Sequence, residues 1–234
     1  MKQALIFDVF GTCVDWRTGV ANEVRRMLGK HTDPLLFADY WRGRYDPAME
    51  RVRSGGRGYI RLDILHRENL EESLDHFGLA DRLNEEEKSE LNHAWEKLPS
   101  WPDVSPGLQK MREQYLLGPC SNGSIALMSR LARFAGLPWD AIVGAEIAQD
   151  YKPKPEVYLA SCESFNLKPS EVIMVAAHNS DLFAARDAGL KTAFLPRPTE
   201  HGAGQTIDLA AESDWDFVAT DFLDLAEKLG GTSA

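Results

Sequence analysis

The sequence is poor in cysteine. Its 234 residues contain three, Cys13, Cys120 and Cys162, which is an odd number at wide spacing. Neither a disulfide framework nor the paired cysteines of a zinc site can be built from them. We therefore expect reduced thiols, as in a protein of the cytosol.

Long hydrophobic runs are also absent. No segment approaches the roughly 20 apolar residues of a membrane span. The apolar run before Asp8 is too short for the hydrophobic region of a signal peptide. The chain nevertheless has 44% hydrophobic residues, enough to bury a sizeable core. The sequence thus predicts a globular cytoplasmic protein without a membrane partner.

Positive charge is scarce. The chain has 26 Lys and Arg residues against 36 Asp and Glu residues, which gives a net charge of -10. An acidic balance over the whole chain argues against nucleic acids and anionic membrane surfaces as partners. A small anionic substrate remains compatible with it, because a few cations suffice to bind one in a cleft.

The organisation of the chain begins at its first apolar run. Ala4 to Phe7 is short and ends in Asp8, which is typical of a buried strand in a parallel sheet. From about Trp16 to Trp95 apolar residues recur at helical spacing. Beyond Pro102 predicted strands and helices alternate, which indicates βαβ units.

This order of elements predicts an α/β fold with two domains. The first is a Rossmann-like parallel sheet core of residues 1–14 and 98–234, and the second is an inserted helical cap domain of residues 15–97. A cleft between cap and core would then lie over Asp8, at the carboxyl end of the first strand.

Local signals predict several helix boundaries. Asn84 with Glu87 resembles a capping box at a helix start. Asp46-Pro47 is expected to end the second helix of the cap, and Ser105-Pro106 is expected to cap and open the first helix after it.

Polar residues follow the predicted strands at their carboxyl ends. Asp8, Ser121-Asn122-Gly123, Lys152 and His178 to Asp181 would meet at one edge of a parallel sheet. Each has a plain structural alternative, namely a turn, a helix cap, a solvated lysine or a first-turn acid. Their coincidence at one edge favours a functional site.

These segments match a known family in order and spacing. Phe7 to Thr12, Ser121 to Gly123, Tyr151 to Pro153 and Asp181 together resemble the motifs of the haloacid dehalogenase superfamily. The resemblance covers nearly the whole chain, and it implies that the helical insertion is the cap of that fold.

Within the superfamily the resemblance favours carbon chemistry. Phosphatases carry a second Asp two residues after the nucleophile, where this chain has Phe10, and they bind Mg²⁺ with acids of the last loop, where Asp181 is the one carboxylate. The pattern resembles the L-2-haloacid dehalogenases, which implies no metal and no other cofactor. Small (S)-2-haloacids or haloacetates would be hydrolysed to 2-hydroxy acids by attack of Asp8 on C2, through an aspartyl ester.

The resemblance also implies roles around the nucleophile. Thr12 would orient Asp8 by a hydrogen bond, and Lys152 would keep it ionised. Tyr158, one helical turn after the lysine loop, would support this arrangement from the substrate side.

Other residues would bind the substrate and the leaving group. Arg42 in the cap would bind the departing halide together with Asn122. Alternatively, Arg42 is a surface arginine beside Arg44. The groups expected to hold the substrate carboxylate are Ser121 and the backbone amides of Val9 and Phe10.

One segment departs from the family pattern. Ala176-Ala177-His178 stands where the best-known members carry Ser-Ser-Asn. His178 is therefore either a base for ester hydrolysis or a hydrogen-bonded structural histidine. Asn179 and Asp181 would orient the water, and the preferred halide stays open, fluoride included.

The sequence is also compatible with functions other than haloacid hydrolysis. They are a Mg²⁺-dependent phosphatase of the same superfamily, hydrolysis at another activated carbon, and a catalytically silent binding protein on this scaffold. The expected partners are a small haloacid and the halide product. The resemblance also implies homodimers, although no stretch of the sequence identifies an interface.

Overall fold

The computed structural model describes residues 3–231, so the outermost residues of the predicted core lie outside it. The strands are β1 (Ala4–Phe7), β2 (Leu116–Ser121), β3 (Val143–Gly144), β4 (Val172–Ala176), β5 (Lys191–Phe194) and β6 (Phe217–Val218). They form one parallel sheet in the order β3-β2-β1-β4-β5-β6. The predicted α/β fold is confirmed.

Strand β1 lies in the middle of the sheet because both of its faces are apolar. Leu5 and Phe7 pack into one hydrophobic cluster, and Ala4 and Ile6 pack into another on the opposite face. The strand pairs with β2 on one side and β4 on the other. Asp8 therefore emerges at the centre of the carboxyl edge.

The helical insertion between β1 and β2 contains five α-helices. They are α1 (Trp16–Leu28), α2 (Pro34–Gly43), α3 (Tyr45–Arg53), α4 (Leu62–His76) and α5 (Glu85–Asn92). The second helix, expected to end near Asp46-Pro47, ends at Gly43, and Asp46-Pro47 lie in the first turn of α3. A proline fits there, since the first turn has no intrahelical partner for its N–H groups.

The two chain segments that enter and leave this insertion run side by side. Val14 and Ser100 form an antiparallel bridge, and the amide of Asp15 donates a 2.9 Å hydrogen bond to the carbonyl of Pro99. The chain thus leaves the sheet and returns to it at one place. The division into a core and a cap of residues 15–97 stays a prediction.

The remaining helices flank the sheet: α6 (Val104–Met111), α7 (Ile125–Ala135), α8 (Ala145–Ala148), α9 (Pro155–Ser164), α10 (Asn179–Asp187) and α11 (Phe222–Gly230). The predicted start of α6 is wrong by two residues, because the helix begins at Val104 and Ser105-Pro106 lies in its first turn. The capping box of Asn84 and Glu87 at α5 is confirmed.

The three cysteines are free, as the sequence predicts, and all three are buried. None of the helices within residues 3–231 is long and apolar enough to cross a membrane.

Candidate active site

Asp8 is the centre of a buried polar cluster at the carboxyl edge of the sheet. Its Oδ1 accepts a 2.9 Å hydrogen bond from Nζ of Lys152, which lies in the loop after α8. The same ammonium donates to Oδ2 of Asp181 in the first turn of α10. The lysine thus lies between two carboxylates that neighbouring strands bring together, as the sequence predicts.

The second oxygen of Asp8 has two partners. Thr12 Oγ1 donates a 2.7 Å hydrogen bond to Oδ2, and Nδ1 of His178 lies 3.1 Å from the same oxygen. Thr12 is itself fixed, because its Oγ1 accepts a hydrogen bond from the amide of Ala177. The orientation of the Asp8 carboxylate is therefore fixed by contacts at both of its oxygens.

The charges around Asp8 keep it ionised. Burial alone would raise the pKa of Asp8, but the positive charges of Lys152 and His178 outweigh it and hold the pKa well below its usual range. Burial would likewise lower the pKa of Lys152, but the carboxylates of Asp181 and Asp8 raise it above the usual range. The pair is thus a carboxylate and an ammonium at neutral pH.

Asp181 is held by a second donor. The hydroxyl of Tyr158 on α9 donates to Oδ1 of Asp181. Burial, followed by the charge of Asp181, raises the pKa of Tyr158, so the phenol keeps the proton that it donates. Tyr158 therefore supports the lysine indirectly, through the second carboxylate.

The sequence did not reveal Glu200, which pairs with His178. Oε2 of Glu200 lies 2.8 Å from Nε2 of His178, so the imidazole bridges Glu200 and Asp8. Burial would lower the pKa of His178, but the charges of Glu200 and Asp8 outweigh it and raise the pKa well above the ordinary imidazole value. The carboxylate of Glu200 is almost fully buried, at 2% exposure.

The close approach of Glu200 requires a glycine at position 11. Gly11 has φ +89°, and a Cβ at this position would lie 2.1 Å from Oε1 of Glu200. Only glycine satisfies both the backbone conformation and the contact. The glycine of the first motif is thus linked to an acid far along the chain.

A cavity of about 370 Å³ opens over Asp8 between the sheet and the helical insertion. The predicted site residues in its lining are Asp8, Phe10, Arg42, Asn122, Lys152, Tyr158, His178 and Asp181. Arg42 reaches the cavity from α2, with its guanidinium 4.0 Å from the ring centre of Tyr45. Arg42 is therefore half-buried and lines the cavity, unlike an arginine on the open surface.

The loop after β2 lies beside this cavity. Oδ1 of Asn122 accepts a 2.9 Å hydrogen bond from the amide of Lys152, which ties the two loops together. Ser121 and Val9 are fully buried, and among the described residues they are not part of the cavity lining. Phe10 lines the cavity, and its ring packs edge-on against the ring of Trp95.

Asn179 lies outside this cluster, contrary to its predicted role in orienting water. Its Nδ2 donates to Asp208 and to the carbonyl of Ala210, and its Oδ1 accepts from the amide of Glu212 and from Trp215 Nε1. Both ends of the Asn179 amide thus hold the segment before β6, so the predicted role of Asn179 in orienting water is wrong.

Among residues 3–231, no group of three or more His, Cys, Asp or Glu side chains is arranged to hold a metal ion.

Known proteins resemble this chain both in sequence and in fold. A family model of haloacid dehalogenase-like hydrolases matches residues 2–189. The crystal structure of a defluorinating L-2-haloacid dehalogenase is 47% identical, with a TM-score of 0.95, over 98% of this chain and 95% of that one.

More distant relatives carry two activities. (S)-2-haloacid dehalogenase 1 of Pseudomonas sp. (strain CBS-3) is 27% identical over 83% of this chain and 85% of its own length. A phosphoglycolate phosphatase of Psychrobacter arcticus is 26% identical over 86% of both chains. The chain belongs to the haloacid dehalogenase-like hydrolases, in the branch that contains the L-2-haloacid dehalogenases.

Proposed function

We propose that this protein hydrolyses small (S)-2-haloacids or haloacetates to 2-hydroxy acids without a metal ion. One observation carries the proposal: an ionised Asp8 is held at both oxygens, with Phe10 at the position from which a phosphatase would supply its second acid. The 47% identity to a defluorinating L-2-haloacid dehalogenase supports the same conclusion.

In the first half-reaction a carboxylate oxygen of Asp8 attacks C2 of the substrate. A C–O bond forms, the carbon–halogen bond breaks, and the halide leaves with the bonding electron pair, so that C2 is inverted. No general acid is needed because halide leaves as a stable anion, so Phe10 is no handicap. Lys152 neutralises the two carboxylates that a phosphatase would offer to Mg²⁺.

Arg42 and Asn122 are the proposed halide site. Both line the cavity, and within the described part of the chain the buried Nε of Arg42 has no hydrogen-bond partner. An unsatisfied buried donor costs free energy unless a ligand accepts from it. The family resemblance assigns the substrate carboxylate to Ser121 and the amides of Val9 and Phe10. Of these residues Phe10 lines the cavity, whereas Ser121 and Val9 lie buried behind the lining.

In the second half-reaction water attacks the carbonyl carbon of the Asp8 ester. Glu200 holds the Nε2 proton of His178, which leaves Nδ1 to accept a proton from that water. Esterification helps, because it removes the charge of Asp8 that favours the imidazolium. The tetrahedral intermediate then expels the hydroxy acid, whose oxygen takes up that proton from His178. The second proton of the water is released to solvent as Asp8 returns to a carboxylate.

The setting of the protein is also a proposal. Three buried, unpaired thiols favour a reducing compartment such as the cytoplasm. The homodimer stays a prediction from the family, and light scattering of the purified protein would test it.

The experiment that tests the function measures halide release from L-2-chloropropionate, chloroacetate and fluoroacetate in EDTA. Hydrolysis of p-nitrophenyl phosphate in Mg²⁺ is measured in parallel, and Asp8→Asn is the control. We expect halide release in EDTA that Asp8→Asn abolishes. Phosphate release that requires Mg²⁺, without halide release, would establish the phosphatase instead.

A further inference from the structure

Trp16 connects the helical insertion to the hydrolytic pair. It is the first residue of α1 and is 1% exposed. Its indole Nε1 donates a 2.9 Å hydrogen bond to Oε1 of Glu200, 184 positions away. The donor belongs to the insertion and the acceptor to the segment after β5.

This bond fixes the orientation of the Glu200 carboxylate. Oε2 faces Nε2 of His178 at 2.8 Å, whereas Oε1 accepts from Trp16 and lies 3.6 Å from Nε2 of His201. His178 and His201 are thus the titratable side chains that contact Glu200. A carboxylate held by one partner is free to rotate, and the indole donor on Oε1 holds Oε2 toward His178.

We propose that Trp16 is a positioning residue for hydrolysis of the ester, because its indole N–H holds Glu200 in the orientation that makes His178 a competent base. This inference rests on the proposed function. Trp16 does not reach Asp8 itself, so it acts on the second half-reaction through Glu200.

The ring of Trp16 has a separate contact on the halide side. The guanidinium carbon of Arg42 lies 5.6 Å from the ring centre. Trp16→Phe keeps an aromatic ring for this contact and removes the N–H. The substitution is therefore expected to separate the two half-reactions.

The test is a single-turnover experiment on Trp16→Phe with L-2-chloropropionate. We expect the halide burst to keep its rate within about twofold, whereas decay of the ester on Asp8, followed by mass spectrometry, slows about tenfold. In a Glu200→Gln background the same substitution is expected to have no further effect on ester decay.

Trp95→Phe is the matched control for lost packing. Trp95 is equally buried, stacks on Trp16 with ring centres 6.4 Å apart, and its Nε1 has no hydrogen-bond partner within the described residues. We expect Trp95→Phe to leave ester decay unchanged within about twofold. The proposal would be overturned if ester decay slowed equally in both variants, or if it kept its full rate in Trp16→Phe.

A second measurement does not depend on the folding of Trp16→Phe. The chain has six tryptophans, and selective ¹⁵N-indole spectra compare the unmutated protein with Glu200→Gln. We expect one indole N–H signal to shift strongly, and an unchanged spectrum would refute the contact. Failure of the proposed function is distinct, because the unmutated protein would then form no ester on Asp8 at all.

Discussion

Nζ of Lys152 lies 2.9 Å from Oδ1 of Asp8, although 144 positions separate the two residues. The sheet explains this proximity: Asp8 follows the central strand, and the lysine loop follows the short strand and helix two strands away. The ammonium keeps Asp8 anionic and also neutralises Asp181. This ion pair is what the proposed role of Asp8 as an ionised nucleophile depends on.

Replacement of Lys152 by Met should therefore remove activity and stability together. Two buried carboxylates would face each other, and breaking such a buried pair costs about 3 kcal/mol or more. We expect halide release to fall by at least about 100-fold and the free energy of unfolding in urea to fall as well. Lys154→Met, in the same loop, is the control; equal losses in both variants would mean that the loop, and not the ion pair, is responsible.

His178→Gln should still release halide but should fail to hydrolyse the ester on Asp8. In the proposed mechanism the first half-reaction needs Asp8 and Lys152, whereas ester hydrolysis needs His178 as its base, and a general base supplies about 100-fold or more in rate. We expect a burst of one halide per active site and an ester that persists on Asp8, detected as added mass on its peptide. His93→Gln, at an exposed position of the insertion, should turn over normally. Continued turnover of His178→Gln would assign the histidine a structural role.

Glu200→Gln should shift the pH dependence of ester hydrolysis to lower pH. Burial lowers the pKa of His178, and the charge of Glu200 is the largest contribution that raises it. The base acts in its neutral form, so hydrolysis rises with pH through this pKa. Removing the charge lowers the pKa, moves the rising limb down in pH, and reduces the plateau because a less basic imidazole is a poorer base. A limb that stays in place would show that Glu200 does not control His178.

Gly11→Ala should displace Glu200. The variant pays for a left-handed backbone, about 1 to 3 kcal/mol, and its Cβ would also collide with the carboxylate. Gly29→Ala is the matched control, because Gly29 has φ +58° with nothing within 4 Å of the added Cβ. We expect both variants to lose stability in thermal unfolding, but only Gly11→Ala to slow ester decay. Normal decay in Gly11→Ala would contradict the expected displacement of Glu200 from His178.

The sequence predicted the residues that follow regular strands. Parallel strands deliver their carboxyl ends to one edge, so Asp8, Lys152 and Asp181 could be placed together from spacing alone. Thr12 and His178 also follow closely after strand ends. The hydrogen bond of Thr12 to Asp8 was implied by the family resemblance, whereas the contact of His178 with Asp8 was not predicted.

Other residues lay beyond the reach of sequence reasoning. Glu200 stands in an irregular segment after β5, 22 positions from His178, and no local pattern marks it. Asn179 was assigned wrongly because a residue at a helix start can point toward the site or away from it, and here the segment 208–215 binds its amide. The direction of a side chain at an element boundary depends on tertiary contacts.

The claim that Asp8 forms an ester is tested most directly by a single turnover in H₂¹⁸O with enzyme in excess over L-2-chloropropionate. Attack of water on the Asp8 carbonyl leaves the labelled oxygen in the enzyme, whereas the product keeps an oxygen of Asp8. We predict ¹⁸O in the peptide that contains Asp8 and an unlabelled 2-hydroxy acid. Labelled product with unlabelled Asp8 would show direct attack of water on C2 and would contradict the account.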